Sequence, residues 1–342
     1  MSIGVGVLGL GHWGPNHVRV FGALEGCRVV TAADTDEGRR SRLAAVDPSV
    51  DFTTDYHDVL NRSDVDAVVV ATPSVTHYAI VRDALDAGKH VLCEKPLTSC
   101  GEEAWELVRM AEARERVLMV GHVFLFNPGI LYLGDAMADA ATGSVYYLNA
   151  VRTNLGPFRS DVNAAWDLAS HDAYIFNHLL GQRPAAVAAV GGSYLRKPLE
   201  DIVFLTLEYP GGVLGHIHIS WLDPKKVRQI TMVAEKRMVT WDENGRPGPI
   251  LIYDRAVVRD TTYNTFGEFQ LLAREGDVVV PRIPTEEPLA AQAREFAARC
   301  LNGEGGDARG SGRQGAEVVD ILETASRSLA LKGGLQEVAY GG

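Results

Sequence analysis

A glycine-rich turn directly after the first strand constrains the fold of this chain more than any other feature. Residues 3–8 (IGVGVL) form an apolar run that predicts a short buried strand. The next six residues, 9–14, follow the pattern G-x-G-x-x-G, and residues 17–24 have the apolar rhythm of a helix. A strand, a glycine turn and a helix in this order predict a phosphate-binding βα unit.

The three glycines have separate roles in such a turn. Gly9 permits the tight bend, Gly11 lets the backbone come close to a pyrophosphate, and Gly14 lets the helix pack on the strand. The phosphates would then meet N–H groups at the positive end of the helix. His12 and Trp13, inside the turn, are further candidates for cofactor contact, with simple packing as the alternative for Trp13. A glycine-rich turn without any ligand is the alternative for the whole segment.

An acidic residue at the end of the second strand favours a dinucleotide as the ligand. Residues 28–33 (RVVTAA) predict that strand, and Asp34 follows it. A carboxylate at this place can accept both adenosine ribose hydroxyls and would repel a 2′-phosphate, so NAD is favoured over NADP. Arg39 and Arg40 lie nearby in the sequence and keep NADP as an alternative.

Composition excludes several classes of protein. A chain of 342 residues suits two domains. The net charge of −11, without a basic run, argues against a nucleic-acid partner. No apolar run approaches the roughly 20 residues of a membrane span, and the N-terminus has no signal-peptide pattern. The four cysteines form no C-x-x-C pair and suit a reducing compartment, so we expect a cytoplasmic protein. Because no apolar span is present, we expect no membrane partner.

Strands and helices alternate up to about residue 122. Apolar runs at residues 66–71, 89–93 and 117–120 predict further strands, with helical patterns between them. This alternation predicts an α/β Rossmann domain, a doubly wound parallel sheet, over residues 1–122. Ligands on such sheets collect outside the carboxyl ends of the strands. Beyond the glycine turn and Asp34, the candidates at these ends are Ala71, Thr72, Pro73, Glu94, Lys95 and Pro96.

The rhythm changes in residues 123–342. Strand-like pieces between residues 186 and 253 follow one another without helices, and glycine pairs and Asn244-Gly245 indicate hairpin turns. This pattern predicts a C-terminal α+β domain with an open, mostly antiparallel sheet. For the last predicted helix, over residues 313–331, packing against the first domain is an alternative to packing within the second. Residues 254–282 show no clear pattern.

The chain resembles the Gfo/Idh/MocA family of oxidoreductases, the glucose–fructose oxidoreductase and inositol dehydrogenase group. The resemblance is carried by residues 70–73 (VATP) with His77, 87–97 (AGKHVLCEKPL), 121–122 (GH), 126–128 (FNP) and 167–172 (DLASHD). It covers nearly the whole chain. It implies an NAD(P)-dependent enzyme that acts on a sugar or cyclitol. It also implies that residues 123–342 bind the substrate and that their open sheet mediates assembly into a homodimer or homotetramer.

Three residues are the candidates for catalysis, and each matches a catalytic position of the resembling family. His171 is the candidate base, because neutral imidazole has an unperturbed pKa of about 6.5. Asp167 stands four residues earlier, so a helix would put both side chains on one face. Lys95 would polarise the substrate oxygen and stabilise a developing alkoxide. A solvated surface lysine and a helix-capping histidine are the alternatives.

Other residues are candidates for binding. The resemblance puts Thr72, Pro73 and His77 beside the cofactor and Glu94 at the nicotinamide ribose, and the Lys95-Pro96 bond is often cis in the family. His122 lines the substrate floor or makes a structural hydrogen bond. The polar candidates for substrate contact are Arg152, Asn154 and Asn163. His216 and His218 have no carboxylate or cysteine partner at a suitable spacing, so we expect no metal site.

The substrate class is narrowed by two short segments. Residues 13–16 (WGPN) and 166–169 (WDLA) look most like the branch that acts on nucleotide-linked or amino sugars. We expect reversible oxidation of a secondary hydroxyl, with position 3 of a nucleotide sugar favoured. An inositol dehydrogenase is one alternative, and a non-catalytic dinucleotide-binding regulator is another. Leu125 stands where many relatives have an arginine, which leaves the exact substrate open.

Overall fold

The computed structural model describes residues 2–259, 271–303 and 308–341 of the chain. The strands of this part are β1 (Ile3–Leu8), β2 (Cys27–Ala33), β3 (Asp51–Thr53), β4 (Ala67–Val70), β5 (His90–Cys93), β6 (Leu118–Val120), β7 (Val145–Leu155), β8 (Ala186–Gly192), β9 (Ile202–Glu208), β10 (Leu214–Ser220), β11 (Leu222–Ala234), β12 (Met238–Asp242), β13 (Ile250–Tyr253), β14 (Ala256–Arg259), β15 (Leu271–Arg274), β16 (Val278–Val279) and β17 (Gln336–Glu337). The helices are α1 (Gly14–Gly22), α2 (Arg40–Val46), α3 (Tyr56–Leu60), α4 (His77–Asp86), α5 (Gly101–Ala113), α6 (Pro128–Ala138), α7 (Ser170–Leu180), α8 (Pro288–Asn302) and α9 (Gly312–Ala330).

The chain divides into two units. The first unit contains Met1–Phe126, Glu286–Glu323 and Ala339–Gly342, and the second contains Asn127–Thr285 and Thr324–Val338. The first unit therefore includes α8 and the first part of α9, which come from the second half of the sequence. The division runs through α9.

A parallel sheet with the strand order β3-β2-β1-β4-β5-β6 forms the centre of the first unit. All residues of β1, β4 and β5 are buried, as expected for strands that are covered on both faces. The strand order reverses between β1 and β4, which is where sheets of this kind bind their ligands. The predicted doubly wound sheet is confirmed.

Local signals set the ends of the helices in this unit. Pro15 lies in the first turn of α1, where its missing N–H leaves no intrahelical bond unmade. Gly88 follows the end of α4 with a φ of 72°, a conformation that glycine adopts without strain. The chain then enters β5 directly, so the carboxyl end of that strand carries Glu94 and Lys95.

A mixed sheet with the order β16-β13-β12-β11-β7-β10-β9-β8-β17 forms the second unit. Its pairs are antiparallel except for β7 with β10, which confirms the predicted, mostly antiparallel sheet. One face is buried and includes Leu148 and Ile217, whereas the other exposes Tyr147, Phe204 and Leu214. The predicted glycine turn at residues 211–212 joins β9 to β10.

Part of the stretch without a clear sequence pattern forms a hairpin. Strand β14 pairs antiparallel with β15, and β16 pairs with β13. Residues 260–270 of this stretch lie outside the described residues. None of the helices in the described ranges is long and apolar enough to cross a membrane.

Candidate active site

The glycine turn between β1 and α1 has the geometry of a phosphate cradle. Gly9 has a φ of 93°, and a Cβ there would lie 2.7 Å from the carbonyl oxygen of Ala71. A Cβ on Gly14 would lie 2.0 Å from the carbonyl oxygen of Gly9. A Cβ on Gly11 would meet nothing within 4 Å, so the turn is open at this residue. The residues therefore fit a dinucleotide pyrophosphate that approaches the backbone at Gly11.

Asp34 lies beside this turn at the end of β2. Its Oδ2 accepts a hydrogen bond from the Leu10 N–H at 2.7 Å, and its Oδ1 accepts one from the Asp36 N–H at 2.9 Å. These bonds fix the carboxylate, which is partly exposed, next to the phosphate cradle. The arrangement fits the predicted contact with the adenosine ribose.

The two arginines that left NADP open are engaged by acidic side chains. Arg39 lies 3.3 Å from Asp36, and the Arg40 Nε donates to Glu37 at 2.7 Å. The Arg40 guanidinium also lies 4.7 Å above the ring of Phe52. Because each arginine is paired with an acid, neither offers an unbalanced positive charge to an additional phosphate, and the Asp34 carboxylate favours NAD.

The carboxyl end of β5 carries Glu94 and Lys95, and the Lys95-Pro96 peptide bond is cis. The Glu94 carboxylate accepts a hydrogen bond from the buried ring of His17, with 2.9 Å between Oε1 and Nε2. Lys95 is partly exposed. His77 is buried and connects two strand ends, since its ring nitrogens lie 2.8 Å from the Pro96 carbonyl oxygen and 3.0 Å from that of Thr72.

His122 follows β6 and is buried close to Lys95. Burial, and then the positive charge of Lys95, lowers the pKa of His122 to about 3. The imidazole is therefore neutral at physiological pH and can donate or accept a hydrogen bond without adding charge. Trp13 has an exposed fraction of 41% and makes an edge contact with the ring of His12.

The second unit holds Asp167 and His171 on one continuous helical segment. Asp167 lies in a π-helical turn, Ala165–Ala169, that leads into α7. Such turns are frequent at functional sites. The Asp167 Oδ2 accepts a hydrogen bond from the Trp221 Nε1–H at 3.2 Å, and its Oδ1 lies 3.8 Å from an Arg159 nitrogen. The His171 Nδ1 lies 2.9 Å from the hydroxyl of Tyr174, one helical turn further on.

Arg152 makes a different contact from the one predicted for it. Its Nε and Nη2 donate to both carboxylate oxygens of Asp172, at 2.8 and 2.7 Å. The two side chains are exposed by only 2% and 1%. This buried ion pair joins β7 to the first turn of α7, directly beside His171. Substrate contact by Arg152 stays a prediction.

The two predicted asparagines also have partners within the second unit. The Asn154 amide donates to the Gly156 carbonyl oxygen. Asn163 donates to Glu200 at 2.7 Å and accepts from the Trp166 N–H at 3.2 Å, so it shapes the start of the helical segment. Their predicted substrate contacts stay predictions.

Sequence reasoning missed four residues that contact the predicted site residues: His17, Arg159, Tyr174 and Trp221. Tyr174 had a local signal, because a helix puts residues three apart on one face. The others contact residues that are remote in sequence or lie in irregular segments. Arg309 is a further cation close to Leu125, with its guanidinium 5.4 Å above the ring of Phe126. Within the described ranges, no group of three or more His, Cys, Asp or Glu residues is arranged to hold a metal ion.

Comparisons with known proteins agree with the predicted family and dinucleotide-binding fold. Residues 3–122 match the GFO_IDH_MocA model, described as an oxidoreductase family with an NAD-binding Rossmann fold, and residues 133–240 match the GFO/IDH/MocA C-terminal domain. The chain is 34% identical to inositol 2-dehydrogenase 2 of Paenarthrobacter aurescens over 64% of this chain and 69% of that protein. It is 36% identical to UDP-N-acetylglucosamine 3-dehydrogenase of Acidithiobacillus ferrooxidans over 54% and 57% of the two chains.

A solved structure gives the same result for the fold. The crystal structure of GenD2 from gentamicin A biosynthesis, in complex with NAD, superimposes with a TM-score of 0.81. The two chains are 26% identical, and the alignment covers 99% of this chain and 97% of the other. The similarity therefore extends over both units.

Proposed function

Since the chain belongs to the Gfo/Idh/MocA family of NAD-binding oxidoreductases, we propose that it interconverts a secondary hydroxyl and a ketone on a sugar, with Lys95, Asp167 and His171 as the catalytic residues. The family relationship makes the chain an NAD-dependent dehydrogenase of the sugar and cyclitol type. The catalytic proposal depends on the helical segment that carries Asp167 and His171, whose side chains contact Trp221 and Tyr174, respectively. It also depends on the Glu94-Lys95-Pro96 segment at the end of β5.

His171 acts in this proposal as the base that takes the hydroxyl proton. In this proposal the Nδ1–H of His171 donates to the Tyr174 hydroxyl, 2.9 Å away, and Nε2 keeps its lone pair for the substrate. The phenol oxygen continues to accept this hydrogen bond when the ring becomes an imidazolium. Tyr174 thus holds the orientation of the base.

Lys95 binds the oxygen of the reacting hydroxyl in this proposal, and Asp167 binds a substrate hydroxyl. The Lys95 ammonium donates to the substrate oxygen and stabilises the negative charge that develops as the proton leaves. The Asp167 carboxylate is held by Trp221 and accepts a hydrogen bond from a substrate hydroxyl. Bound NAD supplies the acceptor for the hydride, and the residues of this chain supply orientation and the proton transfer.

The substrate that we propose is a nucleotide-linked sugar oxidised at position 3. The 36% identity to UDP-N-acetylglucosamine 3-dehydrogenase supports this choice, as do residues 13–16 and 166–169. Local charge does not add to this support, because Arg159, beside Asp167, is paired with Asp161, and Leu125 replaces the arginine of many relatives. A cyclitol is the second candidate, because a relative that is 34% identical is named inositol 2-dehydrogenase.

A substrate panel with a lysine variant tests the proposal. Purified protein and NAD are mixed with UDP-N-acetylglucosamine, free sugars or myo-inositol, and NADH is followed by absorbance. We expect the nucleotide sugar to have the highest kcat/KM, with a primary isotope effect when carbon 3 carries deuterium. Lys95→Ala should lower kcat/KM by about 10³ and leave NADH binding intact.

An exposed lysine provides the matched control for this experiment. Lys226→Ala changes the same residue type at an exposed position of β11 and should keep full turnover. Activity retained in Lys95→Ala would refute the role of this residue. A higher kcat/KM for myo-inositol would replace the nucleotide sugar by the cyclitol.

The open face of the second sheet is our proposed self-association surface. Tyr147, Phe204 and Leu214 expose apolar area there, and water-exposed patches of this kind are typical of interfaces. We propose a homodimer or homotetramer, which light scattering of the purified protein would distinguish from a monomer.

A further inference from the structure

His17 lies in the first turns of α1 but contacts a residue 77 positions away at the end of β5. Its Nε2 lies 2.9 Å from the Glu94 Oε1, and its ring is 1% exposed. The ring stacks on Phe21 with a centroid distance of 6.4 Å, and Phe21 is itself fully buried. The imidazole is therefore held in one orientation by the core of the first unit.

Glu94 sits in a space that two residues create. His17 binds one carboxylate oxygen, and Gly121 makes room for the other, since a Cβ on Gly121 would lie 2.9 Å from Oε2. The Glu94 side chain keeps an exposed fraction of 14%. A carboxylate that is largely removed from water needs fixed donors, and it accepts further hydroxyl donors strongly.

The sheet order assigns the cofactor half that this carboxylate meets. A dinucleotide on a doubly wound sheet lies across the switch point, with one nucleotide on each side. Here the switch point lies between β1 and β4, with Asp34 on the β2 side and Glu94 on the β5 side. With adenosine at Asp34, the nicotinamide nucleotide falls on the side of Glu94.

We infer that His17 is a positioning residue for the nicotinamide half of the cofactor: it holds the Glu94 carboxylate in the orientation that accepts the nicotinamide ribose hydroxyls. The histidine does not touch the cofactor in this assignment and acts through Glu94. Because α1 begins at the glycine turn, the same side chain links the pyrophosphate cradle to the strand end that carries Lys95. The inference rests on the proposed cofactor role of Glu94.

Binding measurements with two ligands test this role. NADH contains the nicotinamide and its ribose and ADP does not, so the ratio of their dissociation constants reports on the contacts of this half, and the Glu94 variants below isolate the share of Glu94. His17→Phe keeps a ring against Phe21 and removes the donor. We expect this variant to raise the Kd for NADH about tenfold and to change the Kd for ADP less than about twofold. His17→Gln, which returns an N–H donor, should recover most of the NADH affinity.

A double mutant separates positioning from a general structural effect. In a Glu94→Gln background, His17→Phe should weaken NADH by less than about twofold, because the pair no longer contains a carboxylate. His90 is the matched control, since it is also buried and begins the same strand β5, where its Nδ1 accepts the Val117 N–H at 2.9 Å. His90→Phe should lower stability without changing the NADH to ADP ratio.

Several results would overturn the inference. Equal weakening of NADH and ADP by His17→Phe would assign His17 to the glycine turn as a whole. An unchanged Kd for NADH, or a full effect in the Glu94→Gln background, would remove the link through Glu94. If the phenylalanine variant does not fold, His17→Asn, whose amide ends before the position of Nε2, takes its place with the same expectations. These binding results are decided independently of whether Lys95→Ala abolishes turnover.

Discussion

The two units prepare their functional groups in different ways. In the first unit, the proposed ligand contacts are backbone groups at the glycine turn and side chains at strand ends, such as Asp34 and Glu94. In the second unit, Asp167 and His171 depend on buried or partly buried side chains around one helix: Trp221, Tyr174 and the Arg152–Asp172 pair. Topology thus positions the cofactor groups, whereas a side-chain network positions the proposed catalytic helix.

This difference teaches where each unit is sensitive to substitution. A glycine turn keeps its fold wherever a Cβ finds space, but a Cβ that faces the ligand blocks binding, because the binding groups are backbone N–H groups that the ligand must approach closely. A buried ion pair tolerates no single change, because removing one partner leaves the other charge without compensation in a low dielectric. Substitutions of matched size in the two units therefore break different properties.

The largest effect is expected at the buried ion pair of the second unit. Asp172→Asn removes the carboxylate that accepts both hydrogen bonds from Arg152. We expect the free energy of unfolding to fall by about 3–5 kcal/mol, as measured by urea denaturation. The double variant Arg152→Met with Asp172→Leu should recover most of this loss, because it buries no charge.

An exposed ion pair is the control for this prediction. Asp254 and Arg274 form a pair at 2.7 Å in the same unit, with both side chains exposed by more than 40%. Asp254→Asn should cost less than about 1 kcal/mol. A loss for Asp172→Asn as small as that of the exposed pair would contradict the view that buried side chains hold the helix.

The sequence separation of the contacts explains why some parts of each unit were predicted and others were not. The glycine turn and Asp34 lie within one strand–helix–strand segment, so local pattern and spacing predicted the Rossmann sheet and its ligand edge. The contact between Trp221 and Asp167 joins residues 54 positions apart, and no periodicity indicates it. Arg152 was expected at the substrate because it is a polar residue on a strand, and its pairing with Asp172 depends on how α7 packs against β7. The assignment of the catalytic residues came from the family resemblance.

The second prediction concerns the backbone geometry of the first unit. Gly14→Ala puts a Cβ 2.0 Å from the carbonyl oxygen of Gly9, and backbone cannot move away as a flexible side chain would. We expect the free energy of unfolding to fall by about 2–3 kcal/mol. We also expect NADH binding to fall below the measurable range. Gly11→Ala should leave stability within about 0.5 kcal/mol, because its Cβ meets no protein atom, but should weaken NADH at least about tenfold by occupying the pyrophosphate position.

Gly22, at the other end of α1 from Gly14, controls for helix propensity. Gly22→Ala has its nearest neighbour at 3.9 Å, so alanine should be tolerated there and NADH binding should be unchanged. Normal NADH binding by Gly11→Ala would show that the cofactor does not approach the open part of the turn. Equal effects at residues 11 and 14 would remove the distinction between space for the ligand and space for packing.

The smallest effect is expected at the residue that orients the proposed base. Tyr174→Phe removes the hydroxyl that contacts the His171 Nδ1 and keeps the buried ring. Because the imidazole would then sample other orientations, we expect kcat to fall about tenfold, while the KM and the Kd for NADH stay within about twofold. Steady-state kinetics on the best substrate of the panel, with NADH titration, measure the three quantities.

A second tyrosine, which contacts the same helix from outside it, decides between positioning and stability. The Tyr209 hydroxyl donates to the Asn177 Oδ1 at 2.9 Å, so Tyr209→Phe removes an equivalent contact to α7 at a distance from His171 along the helix. If Tyr174→Phe lowers kcat and Tyr209→Phe does not, the hydroxyl of Tyr174 acts on the base and not on the helix as a whole. If both variants keep full kcat, the orientation of His171 comes from the packing of α7, and the second unit would resemble the first in relying on backbone geometry.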